Sequence, residues 1–203
     1  ASVELFYAKK LNVKPCIGDF QCWFKKVGEC IHKDDMQMIY DKLREADILV
    51  LATPIYIPLP GEIQNLINRL CPILEPMLEF RDGRTRVRFH SDIKLSKLVL
   101  VSSGGWWEKE NFEVVVHIAK EIAENGSLEF AGSILRPHSS LLKEDNEKSR
   151  AVIKAAKTAG SQLIKTGKIS PELFDTISQP LMKEEDYRRE LNQYYLKAKE
   201  GKA

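Results

Sequence analysis

The rhythm of apolar and polar positions changes several times along the chain. Val3 to Tyr7 predicts a strand, and Asn12 to Cys30 is irregular, punctuated by Pro15, Gly18 and Gly28. Asp34-Asp35 then opens a helix reaching about Glu45, with Met36, Ile39, Tyr40 and Leu43 as its apolar stripe and an aspartate to cap its first N–H groups. Ile48 to Ala52, Leu98 to Val101 and Leu128 to Leu135 are apolar runs without polar alternation, the pattern of strands covered on both faces. Helical patterns over Gly61 to Leu70 and Phe112 to Asn125 separate them, the second closing at Asn125-Gly126. Strand and helix in alternation predict an α/β fold with a parallel sheet.

Beyond the sheet region the pattern is helical. One helix is expected from Asn146 to about Lys165, a short one from Pro171, and a last one from Lys183 to Lys199 with Tyr187, Leu191, Tyr194 and Tyr195 along its surface. Repeats and low-complexity tracts are not evident. The reading is therefore one domain over 1–203. It has an irregular Cys-containing segment at 12–34, an insertion at about 72–93 and a helical C-terminal extension from about 145.

Composition narrows the function classes. A chain of 203 residues can bury one sizeable core. A formal net charge of +2 provides no global field for nucleic acid, and Arg81 to Arg88 is the one short basic cluster, whose rhythm could sit on one face of a hairpin and which is read as a solvated loop in preference to a phosphate contact. No apolar run is long enough to cross a bilayer, and no signal peptide is visible. Cys16, Cys22, Cys30 and Cys71 read as reduced thiols of a cytoplasmic protein.

Ligands of open parallel sheets bind beyond the C-terminal ends of the strands. Two loops meet that rule: Thr53 to Pro60 and Ser102 to Lys109. Thr53, Ser102 and Ser103 offer hydroxyls, Gly104-Gly105 offers backbone N–H groups and close approach, and Tyr56, Trp106 and Trp107 offer flat apolar surface. Singly, each loop reads as structural, with Pro54 and Pro58 stiffening a turn and the tryptophans covering a helix end. On one sheet edge, together, they point to a cleft.

Leu49 to Leu70, preceded by Glu45-Ala46-Asp47, resembles the flavodoxin-like NAD(P)H-dependent FMN reductases, including the relatives called iron-sulfur flavoproteins. "PCIGDFQCWFKKVGECIHKDDM" (Pro15 to Met36) and "SSGGWWEKENFEVVVHIAKEIAENG" (from Ser102) carry the same likeness, which covers most of Val3 to about Leu135. The resemblance implies a doubly wound parallel sheet. It implies that Thr53, Pro54, Ile55 and Tyr56 meet a flavin ring, and that Ser102, Ser103, Gly104, Gly105 and Trp106 lie on the other side of the ring or its ribityl chain. It implies FMN as cofactor, NAD(P)H as reductant and a small acceptor such as a quinone or free flavin. No acid or base is assigned, because the redox chemistry belongs to the cofactor.

Two departures qualify the resemblance. Iron-sulfur relatives carry a compact cysteine series, whereas here the spacing is Cys16-x5-Cys22-x7-Cys30, with Gly18 and Asp19 where a second cysteine is expected. Cys71 lies far along the chain, although folding could bring it near, and His32 is an alternative ligand. Ordinary thiols are the preferred reading over a cluster or zinc, and a redox pair of Cys16 with Cys22 lacks a Cys-x-x-Cys signature. The second departure is that the pattern begins at what looks like the second strand, without a first strand and phosphate loop. A missing N-terminal piece, a rearranged sheet and a strand from another chain are three accounts of this; the first suits the otherwise intact pattern. The expected function is an FMN-dependent oxidoreductase, as a homo-oligomer (dimer or tetramer) that binds neither nucleic acid nor membrane. The alternatives are a flavodoxin-like electron carrier, and a flavin-free structural or interaction protein on a degenerate fold.

Overall fold

A computed structural model describes residues 1–143 and 145–201; Glu144, Lys202 and Ala203, which the single-domain reading takes in, lie outside the described residues. In chain order the elements are α1 (Gln21–Phe24), α2 (Met36–Glu45), β1 (Ile48–Pro54), α3 (Gly61–Asn68), β2 (Glu79–Arg81), β3 (Arg84–Arg86), β4 (Lys97–Ser103), α4 (Glu113–Gly126), β5 (Glu129–Arg136), α5 (Glu147–Thr166), α6 (Pro171–Ser178) and α7 (Glu184–Lys199).

The main sheet is parallel, in the order β1-β4-β5. This is an α/β fold of the flavodoxin-like kind, with helices packed against the sheet. On one face, Met36, Tyr40 and Leu43 of α2 and Val115, Ala119 and Ala123 of α4 share a core with Leu98 and Leu100 of β4. On the other, Val152, Ala155, Ala159 and Leu163 of α5 pack with Val99. The central strand β4 buries Leu98, Val99 and Leu100 in succession, as its unbroken apolar run predicts. Asn146 caps α5 by accepting from the Ser149 N–H, and Gly167 ends it with a left-handed φ of 73°.

Four expectations need correction. Val3 to Tyr7 forms no strand and is exposed, because strand propensity has no effect without a neighbour to complete the hydrogen-bond ladder. The β1 strand is not covered on both faces: Leu49 and Leu51 face the first core, but Val50 is 50% exposed. Helices α5 and α6 cover the sheet over β4 and β5, and the outer edge of β1 has no hydrogen-bonded strand among the described residues. The α4 stop is not Gly126, which closes the helix against the Phe89 ring; Ser127 takes the left-handed turn, at φ 61°. The arginines of 81–88 take the hairpin placement that their rhythm allowed, and not the preferred solvated loop. They sit on and beside the β2–β3 hairpin, turned by Asp82-Gly83 with both φ positive. Arg84 and Arg86 reach Glu121 of α4 at 2.7 and 3.1 Å, and Arg88 pairs with Glu79.

Candidate functional site

The parallel register places Thr53 opposite Ser102 and Pro54 opposite Ser103, so the two expected loops leave the sheet side by side. They are tied together at once: the Ser102 hydroxyl donates to the Thr53 carbonyl at 2.8 Å, and the Ile55 N–H donates to the Ser103 carbonyl at 2.9 Å. Thr53 donates to the Pro54 carbonyl at 3.0 Å. Both buried hydroxyls therefore brace the loops and are occupied within them, where sequence reasoning had offered them to a ligand.

What the loops present outward is flat and apolar. Tyr56 is 64% exposed and Trp106 is 72% exposed, with Ile57 fully exposed beside Tyr56. Between them the backbone is crowded. A Cβ on Gly104 would meet Ile55 Cδ1 at 2.9 Å and Phe112 Cζ at 3.1 Å, whereas one on Gly105 would meet open space. Gly104 is thus required by packing, and Gly105 is open to close approach. The Gly104 N–H donates to the Arg136 carbonyl at 3.0 Å and its carbonyl accepts from Ser139 N–H at 2.9 Å, fixing the loop to the end of β5.

Behind the second loop lies a buried group that sequence reasoning missed. Arg136 is 5% exposed and His138 is 1% exposed. The guanidinium donates to the Pro137 carbonyl at 2.7 Å, to the Ile177 and Gln179 carbonyls at 2.6 and 3.0 Å, and to His138 Nε2 at 2.5 Å. The carbonyls at the C-terminus of α6 carry partial negative charge that offsets the cation. Burial alone lowers the Arg136 pKa to about 10. Burial, and then the Arg136 charge, push His138 down to about 4, so its ring is neutral and accepts at Nε2. Trp107 stacks on His138 at 4.1 Å between ring centroids, and the Tyr187 hydroxyl donates to the Gly105 carbonyl. The signal was in the sequence as Arg136-Pro137-His138 at the C-terminal end of the third apolar run.

Comparison with known proteins bears on the first loop. Residues 1–84 match the family model for NADPH-dependent FMN reductase. Over residues 1–84, the chain is similar to the FMN reductase family. It is 36% identical over 85 residues to an iron-sulfur flavoprotein of Methanocaldococcus jannaschii, covering 41% of this chain and 42% of that protein. It is 36% identical over 67 residues to an iron-sulfur flavoprotein of Archaeoglobus fulgidus, covering 32% of each. The match spans less than half the length of these relatives. No solved structure matches the chain. The family stretch holds the Thr53 to Pro60 loop; the Ser102 to Trp107 loop lies beyond it.

The family implies FMN, and the relatives' names carry an iron–sulfur group. The two loops fit one part of FMN, because Tyr56, Gly105 and Trp106 give surface and close approach for a planar ring. For a cluster, the Cys16 to Cys30 segment keeps three thiols with Asp19 in the spacing, and among the described residues no three His, Cys, Asp or Glu side chains are arranged to hold a metal ion. Among the described residues no helix is long and apolar enough to cross a membrane.

Proposed function

We propose that the protein is an FMN-dependent oxidoreductase that passes electrons from NAD(P)H to a small acceptor such as a quinone or free flavin. The observation that carries this reading is the pairing, at one sheet edge, of the family's Thr53 to Tyr56 loop with the Ser102 to Trp106 loop, both presenting exposed aromatic surface. When bound, FMN supplies the two-electron chemistry. The protein's part is positional. Tyr56 and Trp106 bound the ring, Gly105 admits it to the backbone, and Arg136, Trp107 and Tyr187 hold the second loop from behind.

Titration of full-length protein with FMN, followed by tryptophan fluorescence and by NADPH or NADH consumption, tests this. Tyr56→Ala and Trp106→Ala are each expected to weaken FMN about tenfold, or roughly 1.4 kcal/mol. Absence of FMN binding by the full-length protein overturns the proposal.

Two further assignments belong to the same reading. A cytoplasmic homo-oligomer belongs to this reading, and the oligomer is supported by α7, which buries Tyr187 and leaves Tyr194, Tyr195 and Leu196 exposed. An unchanged mass in solution for the Tyr194→Ser, Tyr195→Ser double variant removes the tyrosines from any such contact. The open edge of β1 supports a further strand pairing there, from a preceding segment or another chain. The same edge also favours a flavin-free interaction protein as the second reading, and a protein that stays colourless with FMN selects it.

A further inference from the structure

The segment before α2 is a loop closed at its neck. The Asn12 N–H donates to the Asp35 carboxylate at 2.7 Å and the Lys14 N–H to the Asp34 carboxylate at 2.9 Å, while the Asp35 N–H returns to the Asn12 carbonyl at 3.2 Å. A buried ion pair pins this neck to the end of α3. Arg69 meets Asp34 through two bonds, at 2.9 and 3.1 Å, and donates to the Lys14 carbonyl at 2.7 Å. Further out, the Trp23 ring N–H donates to the Cys71 carbonyl at 2.8 Å, and the Gly28 N–H to the Cys22 carbonyl at 3.0 Å. Each of these bonds is made by protein groups, so the loop has fastenings of its own and does not depend on a metal to staple it.

The cysteines of this loop are the donors an iron–sulfur group would need. Such clusters are held by four cysteine thiolates, three of them commonly in a Cys-x2-Cys-x2-Cys run. Cys16 and Cys22 stand at the outer positions of that run, and Asp19 stands at the middle one. The Asp19 carboxylate is engaged within the loop, where it accepts from the Gln21 N–H at 3.3 Å and from the Gln21 side-chain amide at 2.9 Å. All four cysteines line one cavity of about 340 Å³, together with Asp19 and Arg69. Yet among the described residues no three His, Cys, Asp or Glu side chains are placed to hold a metal ion. Cys71 is a poor replacement for the lost ligand, because burial above all pushes its thiol up to about 12 and a cluster takes thiolates.

We propose that this segment does not carry the iron–sulfur group its relatives are named for: Asp19, at the middle of the run, removes the site, and the closed neck and the Arg69–Asp34 pair hold the loop in its place. The consequence for the reaction rests on the proposed function. Without a one-electron relay in this loop, electrons leave the protein from the flavin itself, so the acceptor has to reach the Tyr56 and Trp106 face directly. The metal content of the loop does not rest on that function.

The test is iron and acid-labile sulfide analysis of the purified full-length protein after anaerobic incubation with ferrous iron and sulfide and then desalting, with FMN titrated into a separate portion. Iron and sulfide should stay far below stoichiometric in the wild type, and a chelator should leave its melting temperature unchanged. Asp19→Cys completes the run and should raise iron and sulfide to roughly four of each per chain, while Asp19→Asn should not. The wild-type content alone is decisive if Asp19→Cys fails to fold. Stoichiometric iron and sulfide in the wild type would overturn the proposal, and an Asp19→Cys protein that folds but takes up neither would overturn the role given to Asp19. A wild type that lacks iron and also fails to bind FMN removes the proposed function and leaves this inference standing.

Discussion

Replacing Asp34 with asparagine tests whether the buried ion pair holds the cysteine segment in place. The side chains of Asp34 and Arg69 are 0% and 1% exposed, and the pair is bidentate. Burial pushes the Asp34 carboxyl up, but hydrogen bonds from Arg69 and from the Lys14 and Met36 N–H groups outweigh it and hold its pKa below the ordinary carboxylate value. Asparagine keeps the shape but leaves the Arg69 cation with only neutral carbonyls for partners. Breaking a buried pair in this way costs about 3–5 kcal/mol. With a urea dependence of roughly 3 kcal/mol per molar for a chain of this size, the midpoint should fall by about 1–1.7 M. Urea denaturation followed by tryptophan fluorescence measures it directly. Arg150→Gln, which breaks the exposed pair with Asp145, serves as control and should change stability by less than about 0.5 kcal/mol. The double variant Asp34→Leu, Arg69→Met should recover part of the loss, since removing both charges removes the uncompensated cation. A loss below about 1 kcal/mol in Asp34→Asn, the range of an exposed pair, would refute the reasoning.

Three other outcomes follow from the geometry. Gly104→Ala forces Ile55 and Phe112 apart and should destabilise the protein by about 1–3 kcal/mol in thermal or urea melts, with FMN binding weakened in the same variant. His138 has a folded pKa of about 4 against an ordinary 6.5, so the unfolded chain binds its proton first; stability should fall by up to about 3 kcal/mol as pH drops from about 6.5 to 4, and His138→Gln should flatten that slope. Asp34 acts at lower pH: its depressed pKa contributes stability that is present above the ordinary carboxylate value and lost as pH falls through the lowered one, a component that Asp34→Asn lacks in acid titration of unfolding.

The elements that were legible in the sequence are those whose stability is local or whose burial is complete. Leu98 to Val101 announced the central strand because all faces of β4 are covered, and α2 and α5 announced themselves by stripes that the core uses as written. The two candidate loops followed from the strand ends, and the parallel register sets them side by side. Val3 to Tyr7 misled for the complementary reason. Its apolar residues describe a strand, but a strand is a property of a pair, and none of the described residues pairs with it. The exposed half of β1 has the same origin. Its run is apolar on both faces, and the second face is packed at Ile48 but left open at Val50.

The candidate site was legible as a location and not as chemistry, because its decisive contacts join residues far apart in sequence. Ser102 and Thr53 looked like ligand hydroxyls, yet each finds a backbone carbonyl close by, and a buried hydroxyl that already donates within the loop serves its geometry first. The outward surface is left to Tyr56, Gly105 and Trp106, whose types impose shape and not charge. The charge lies one layer deeper. Arg136 is held by the carbonyl end of α6, with no carboxylate among its hydrogen-bond partners in the described residues, and through His138, Trp107 and Tyr187 it reaches the Gly105 carbonyl. The C-terminal helices are thereby coupled to the loop that would face a flavin. A side chain that contacts only carbonyls and a neutral imidazole gains its position from burial and directional hydrogen bonds, so Arg136→Lys, which keeps the charge but loses the planar fork, should loosen that loop nearly as much as removal of the charge. Hydrogen exchange at the Gly104 and His138 amides is the readout, and protection that survives the lysine substitution would show that the cation alone, and not its geometry, holds the loop.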